Sequence, residues 1–132
     1  MIKRVSTEKA PKAIGPYSQA VMAGSHLYVS GVIPVDPSSG MVVESNIIAQ
    51  TEQIMKNIDE IMKEAGFSEA EVVKTTCYLS DMNDFSDFNE VYGHYFVSKP
   101  ARACIAVKGL PKDVLAEVEL IAYKEERGLD NG

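Results

Sequence analysis

Two residues near the carboxyl end of the chain have the types and spacing to hold a small anion. Arg102 and Cys104 lie two apart in the stretch Pro100 to Val107, which alternates like a β-strand, so both point to one face of it. A guanidinium among small apolar residues is costly unless it is paired or binds an anion. Its planar fork fits a carboxylate through two parallel hydrogen bonds.

Two carboxylates with the same spacing occur in the next strand-like stretch, Val114 to Lys124. Glu117 and Glu119 share one face, and the alternate residues of the opposite face are all apolar. We therefore expect Arg102, Glu117 and Glu119 on one face of a sheet. The pattern predicts either a structural ion pair or the wall of a site for a small carboxylate ligand.

Bulk composition places the chain among ordinary soluble domains. It has 132 residues, 45% hydrophobic and 24% charged, which suits a single domain over 1–132. The net charge of -6 argues against nucleic acid as the main partner. No apolar leader or membrane-spanning run is present in the sequence, so we expect no membrane partner and a cytoplasmic location.

Cysteine and histidine usage points away from metals and disulfides. Cys77 and Cys104 fit reduced thiols in a cytosol-like compartment. His26 and His94 are isolated, so neither has the spacing of a metal ligand. The sequence predicts no metal and no cofactor.

The first half of the chain predicts an arm, a hairpin and a loop. Thr7 to Pro16 indicates an extended surface arm. Ala20 to Ala23 and His26 to Ser30 are predicted strands joined by a tight turn. Ile33 to Gly40 is predicted to be a loop.

The second half predicts two helices around a strand. Asn46 to Ala65 is the clearest helix, capped by Ser45 or Asn46 at its start and followed by a helix-ending glycine. Its predicted buried stripe is Ile47, Ile48, Ile54, Met55, Ile58, Ile61, Met62 and Ala65. The remaining predicted elements are a strand over Val72 to Leu79, a helix over Phe85 to Val97, and a frayed tail over Glu125 to Gly132.

This order of elements predicts an α+β fold in which two amphipathic helices cover one face of a mixed sheet. The uncovered face would then carry the charged residues among apolar ones. Self-association through that face is the economical way to cover it.

Several separate motifs carry a resemblance to one family over Ala10 to Tyr123. The motifs are Ala13 to Ala20 (AIGPYSQA), Val29 to Gly31 (VSG) with Ile33 to Pro37 (IPVDP), Phe88 to Tyr92 (FNEVY), and Pro100 to Cys104 (PARAC) with Leu110 to Asp113 (LPKD). Together they resemble the RidA family of reactive intermediate deaminases. The chain departs from the family pattern at Val32, where Gln is usual.

The resemblance implies a chorismate-mutase-like fold and a homotrimer with a central β-barrel and three clefts at the subunit interfaces. It implies hydrolysis of reactive enamines and imines, such as 2-aminoacrylate, 2-iminopropanoate and 2-iminobutanoate, to 2-oxo acids and ammonia. Enzymes that use pyridoxal phosphate, such as threonine dehydratase, make these substrates.

The resemblance also assigns roles at the centre of the site. Arg102 is expected to hold the substrate carboxylate, the alternative being an ion pair with Glu117 or Glu119. Glu117 is expected to orient or activate the attacking water. Cys104 is expected to line the site, with a thiol that Arg102 could make reactive by lowering its pKa.

Four more residues are expected around the ligand. Tyr17 would close the cleft with its ring, or else be an ordinary packed aromatic. Ser30 and Gly31 would let backbone groups approach the ligand, or else form a simple strand-end turn. Asn89 would orient the site, with a capping or interface role as the alternative.

Two other functions stay open from the sequence. One is a regulatory trimer that binds small carboxylates without turnover. The other is a ribonuclease or translation inhibitor, which the net charge and the absence of a catalytic histidine pair disfavour.

Overall fold

The structure is a computed structural model that describes residues 1–125. The frayed tail predicted over Glu125 to Gly132 lies, beyond Glu125, outside the described residues.

Residues 1–125 form an α+β fold, as predicted, with one six-stranded mixed sheet and two α-helices. The elements in chain order are β1 (Ile2–Val5), β2 (Ala20–Ala23), β3 (His26–Val32), β4 (Val35–Asp36), β5 (Met41–Val42), α1 (Ile47–Ala65), β6 (Val72–Leu79), α2 (Phe85–Tyr95), β7 (Ala101–Ala106) and β8 (Ala116–Tyr123). The sheet order is β1-β2-β3-β8-β6-β7, and β4 and β5 form a separate small hairpin. Only the β6–β7 pair of the large sheet is parallel.

Most predicted elements are confirmed, with differences at their ends. β2 and β6 have the predicted bounds, and β3 runs two residues further. α2 ends at Tyr95 rather than Val97, because Phe96 leaves the helical conformation with φ -90 and ψ 66. The sequence analysis did not predict β1, whose first three residues are exposed at the sheet edge, or the hairpin of β4 and β5, which begins in the predicted loop over Ile33 to Gly40 and ends beyond it.

The caps of α1 explain where this helix begins and ends. The Asn46 side chain accepts hydrogen bonds from the backbone N–H groups of Ile48 and Ala49 at 2.9 and 3.1 Å. Gly66 follows the helix in the left-handed conformation, with φ 81, where glycine is favoured. Of the two predicted caps, Asn46 is therefore the one used.

The core lies between the two helices and one face of the sheet. The apolar face predicted for the last strand is confirmed, since Val118, Leu120 and Ala122 are buried against the helices. The stripe of α1 is buried as predicted, except that Ala65 is half-buried and Ile48 is 44% exposed. Within residues 1–125, no helix is long and apolar enough to cross a membrane.

The expectation that Arg102, Glu117 and Glu119 share one face is wrong. Strand β6 lies between β7 and β8, so those two strands are not neighbours. Arg102 pairs with Thr75, which in turn pairs with Leu120 on the helix-covered side. Glu117 pairs with Tyr78 on the open side. Because paired residues point the same way and successive residues alternate, Arg102 and Glu117 lie on opposite faces.

Two buried amides of α1 fasten segments that lack partners in the sheet. Asn57 Nδ2 donates to the carbonyl oxygens of Ile33 and Val35 at 3.2 and 2.9 Å. Gln50 Oε1 accepts from the backbone N–H of Leu115 at 2.8 Å. Helix α1 therefore sets the position of the loop after β3 and of the chain entering β8.

Replacing Asn57 with Ala should lower the free energy of unfolding by about 1–3 kcal/mol, because one buried and one half-buried carbonyl group lose their donor. Chemical denaturation at equal protein concentration measures this. Glu52→Ala, at an exposed position of the same helix, is the matched control and should change the value by less than about 0.5 kcal/mol. Equal effects of the two variants would show that the Asn57 bonds do not hold the loop.

Candidate functional site

Arg102 is held in place by helix α2. Its Nη1 donates to Asn89 Oδ1 at 2.5 Å. Its guanidinium carbon lies 4.7 Å from the centre of the Tyr92 ring and 5.5 Å from that of Phe85. Because a guanidinium carries five N–H donors, this arrangement fixes its plane and leaves donors for a ligand.

The alternative of an internal ion pair for Arg102 is not found. Within residues 1–125 the salt bridge present is Lys63 to Asp59, on helix α1. Arg102 is half-buried beside aromatic rings, without an acidic partner in the described part of the chain. A cation in this state is suited to a carboxylate from outside the chain.

A buried hydrogen bond supports the ring beneath Arg102. The hydroxyl groups of Tyr92 and Thr75 are 2.6 Å apart. Burial is the main cause that raises the pKa of Tyr92, so the phenol stays neutral. Asn89 and Tyr92 are three residues apart in α2, which puts both over the same strand edge.

The Cys104 thiol is not activated by its neighbour. Burial raises the pKa of Cys104, and the nearby Arg102 charge offsets this only in part. The expected lowering of this pKa is therefore wrong, because burial outweighs the cation. Cys104 pairs with Cys77 across the strands. Cys77 is fully buried core, as predicted, and burial raises its pKa to about 12.

Glu117 lies over Gly31, on the other face of the sheet. A Cβ atom built on Gly31 would be 2.0 Å from Glu117 Oε2, so any side chain there would displace the carboxylate. Between Val29 and Val32 the pairing with β8 shifts by one residue. This β-bulge at Ser30 and Gly31 is the kind of irregularity that re-aims groups at functional sites.

Burial and like charge both act on Glu117. Burial is the larger cause that raises its pKa, and the Glu119 carboxylate adds to it. Glu119 is more exposed on the same face. The two carboxylates are thus distinguished by burial, and the raised pKa of Glu117 suits a carboxylate that accepts a proton during a reaction.

Ser30 joins the bulge to the segment that carries Tyr17. Ser30 Oγ donates to the Ser18 carbonyl oxygen at 2.6 Å, and the Ser30 N–H donates to the Gln19 carbonyl oxygen at 3.0 Å. Tyr17 is 53% exposed. The Tyr17 ring therefore lies outside the core of the chain, where it is available to a ligand or a partner.

Gln19 is a positioning residue that the sequence reasoning missed. Its Oε1 accepts from the Thr7 N–H at 2.7 Å, and its Nε2 donates to the carbonyl oxygens of Thr7 and Pro11 at 3.0 and 2.7 Å. The side chain is buried, with 6% exposure. The available signal in the sequence was a polar residue directly before the strand predicted to begin at Ala20. Its hydrogen-bond partners could not be read from this signal, because they lie about ten positions away in the chain.

A cleft of about 610 Å³ opens beside the bulge. Ser30 and Gly31 line it, together with Tyr17 of the arm and Pro111 and Lys112 of the loop before β8. Within the described residues, no group of three or more His, Cys, Asp or Glu is placed to hold a metal ion.

The candidate site residues thus form two groups. The arginine group is Arg102, Asn89, Cys104 and Tyr92 at the β7 edge. The glutamate group is Glu117, Gly31, Ser30 and Tyr17 beside the cleft. The sheet separates the two groups within one chain.

Comparison with known proteins gives consistent matches over nearly the whole chain. The family model described as Endoribonuclease L-PSP matches residues 7–124. A RutC family protein of Pyrococcus horikoshii is 55% identical over 92% of this chain and 97% of its own length. The human 2-iminobutanoate/2-iminopropanoate deaminase is 50% identical over 94% of this chain and 92% of its own length.

Solved structures agree with the sequence matches. The structure of E. coli TdcF with bound serine has a TM-score of 0.89 and 39% identity, covering 93% of this chain and 99% of that chain. The fold, the motifs and these matches lead to one conclusion: the chain belongs to the RidA (YjgF) family, the family of the Endoribonuclease L-PSP model.

Proposed function

We propose that this protein hydrolyses reactive 2-imino acids and their enamine tautomers to 2-oxo acids and ammonia. The observation that carries the proposal is the Glu117 carboxylate, half-buried over Gly31 with a raised pKa. The human relative named as a deaminase of 2-iminobutanoate and 2-iminopropanoate supports it, as does the serine bound to TdcF. The substrates are small molecules with one carboxylate.

Arg102 is the group that holds the substrate carboxylate in this proposal. Asn89 and the Tyr92 ring fix the guanidinium, so little freedom is lost when a ligand binds. A charge-assisted pair of this kind contributes about 1.5–3 kcal/mol. Cys104, beside it on the same strand face, lines the site without acting as a nucleophile.

Glu117 is the general base for water. The substrate reacts as the protonated imine, the iminium ion. As the water oxygen bonds to its carbon, Glu117 accepts the water proton and the C=N π electrons move to the nitrogen, which gives a neutral carbinolamine. Glu117 then returns the proton to the nitrogen, the C–N bond breaks as the hydroxyl oxygen forms the carbonyl group, and the departing ammonia takes the hydroxyl proton and leaves as ammonium. A carboxylate with a raised pKa is suited to both transfers, and its charge stabilises the iminium form.

A complete site requires two chains in this proposal. Arg102 and Glu117 lie on opposite faces of one sheet, so the arginine group of one copy must meet the glutamate group of another. A homotrimer with clefts at its interfaces provides this. Exposed apolar residues of the open face, Tyr28, Ile105 and Tyr123 at 41–49% exposure, give such an assembly an apolar surface to bury.

Free cysteines support the proposed cytoplasmic location.

Loss of either central group should strongly reduce the rate enhancement. Threonine dehydratase with threonine generates 2-iminobutanoate, and the appearance of 2-oxobutanoate is followed with and without this protein. Arg102→Ala should lower kcat/KM about tenfold to a hundredfold, and Glu117→Gln should lower kcat about 10²–10⁴-fold.

Arg4→Ala, an exposed arginine of β1 at the other edge of the sheet, is the control and should keep activity. A folded wild type that does not accelerate the reaction would leave a carboxylate-binding regulator as the function. RNA cleavage without imine hydrolysis would favour the ribonuclease.

Mixing two inactive variants tests the shared site directly. When Arg102→Ala and Glu117→Gln chains are unfolded together and reassembled in equal amounts, about a quarter of the interfaces combine an intact Arg102 with an intact Glu117. We expect activity to return to about a quarter of the wild-type value in the coupled assay. Mixtures that stay inactive after proven exchange of subunits would contradict a site built from two chains.

The pH profile tests the coupling of Glu117 to Glu119. The carboxylate form of Glu117 is the active base, so kcat/KM is lost as pH falls through its raised pKa. Glu119→Gln removes the like charge and lowers this pKa, so the acid limb should move to lower pH. Because burial is the larger cause, the limb should stay above that of an ordinary glutamate. Glu52→Gln on α1 is the control, and a shift to higher pH would contradict the coupling.

A further inference from the structure

The cleft beside the bulge is lined by positively charged residues, although the protein as a whole is negatively charged. The charged residues that line it within the described chain are Lys12 and Lys112, and the lining includes no Asp or Glu. The chain as a whole carries a net charge of -6. The two lysines come from different segments, the arm and the loop before β8, and apolar residues such as Ile14 and Ile33 also line the cleft.

The arm holds Lys12 through a buried amide. Gln19 Nε2 donates to the carbonyl oxygen of Pro11, the preceding residue, at 2.7 Å and to that of Ala10 at 3.4 Å. Ala10 is itself buried, with 1% exposure. The backbone at Lys12 is therefore fixed on one rim of the cleft, while its side chain remains exposed.

The loop holds Lys112 through an unusual backbone conformation. Lys112 and Asp113 are both left-handed, with φ 55 and 54, where residues other than glycine are uncommon. The Asp113 N–H donates to the Leu110 carbonyl oxygen at 3.2 Å. The loop is further anchored where Gln50, with 1% exposure, accepts from the Leu115 N–H. The backbone at Lys112 is thus also held in place beside the cleft.

We infer that Lys12 and Lys112 are capture residues that draw anionic 2-imino acids into the cleft. The inference rests on the proposed function and adds the residues that control substrate entry. A 2-imino acid carries a carboxylate and decays in water without an enzyme, so the fraction that this protein processes depends on how fast it is captured.

The charges around the site make such capture necessary. An approaching carboxylate is repelled by the net negative charge and, at the bulge, by Glu117 and Glu119. Two cations at the rims of a cleft with apolar walls counter this locally, because such walls concentrate the field in the opening. The attraction acts over about a Debye length, roughly 10 Å at 0.1 M salt, and so it weakens as salt is added.

The test is the double variant Lys12→Gln with Lys112→Gln, assayed with 2-iminobutanoate at low and high salt. At low salt, kcat/KM should fall about three- to tenfold, the low end of electrostatic steering, while kcat is unchanged. At 0.5 M salt the wild type and the variant should converge. Lys3→Gln with Lys56→Gln makes the same change in net charge at exposed lysines outside the cleft lining and should keep wild-type values.

Binding of the stable product 2-oxobutanoate, followed by NMR titration, gives a readout that is independent of turnover. Its affinity should fall in the cleft variant at low salt and not in the control. Equal behaviour of the two double variants in both assays, or a fall in kcat at unchanged KM, would overturn the inference. A wild type that binds 2-oxobutanoate through these lysines without hydrolysing imines would overturn the proposed function and leave the capture role standing.

Discussion

The alternation of side chains across a β-sheet is the constraint on which the rest of this structure depends. The register of β6 with its two neighbours turns Arg102 toward the helices and Glu117 toward the open face. A change of side-chain rotamer cannot move Arg102 or Glu117 to the other face, because the hydrogen-bonded sheet lies between the two faces. In the proposed function, one chain therefore holds two half-sites, and burial of the exposed apolar residues of the open face would favour the association of chains.

Buried polar side chains keep each half-site in position. On the arginine side, Thr75 fixes the hydroxyl of Tyr92, whose ring lies under the guanidinium. On the glutamate side, the amides of Gln19, Gln50 and Asn57 bond to backbone groups of segments outside the main strands. In such loops, backbone N–H and C=O groups lack the partners that a sheet would supply. A buried side-chain amide that bonds to these groups fixes the loop as firmly as the hydrogen bonds of a sheet would.

Burial has opposite chemical consequences for the two titratable groups of the site. It raises the pKa of both Glu117 and Cys104. For the carboxylate this increases the affinity for a proton near neutral pH, which a general base requires. For the thiol it suppresses the thiolate, which is the nucleophilic form. Both effects of burial fit the proposed hydrolysis of an imine, in which water rather than the thiol is the nucleophile.

The sequence by itself determined the elements and the types of chemistry available. Period-two alternation placed Glu117 and Glu119 opposite an apolar face. Helical spacing, with a cap at Ser45 or Asn46 and a glycine at position 66, defined α1. Both signals are local in the sequence. Tertiary structure decided which face each strand presents, since that depends on β6 lying between β7 and β8. It also decided the contact of Glu117 with Gly31 and the dominance of burial over the Arg102 charge at Cys104. These features depend on residues far apart in the chain, and no local pattern encodes them.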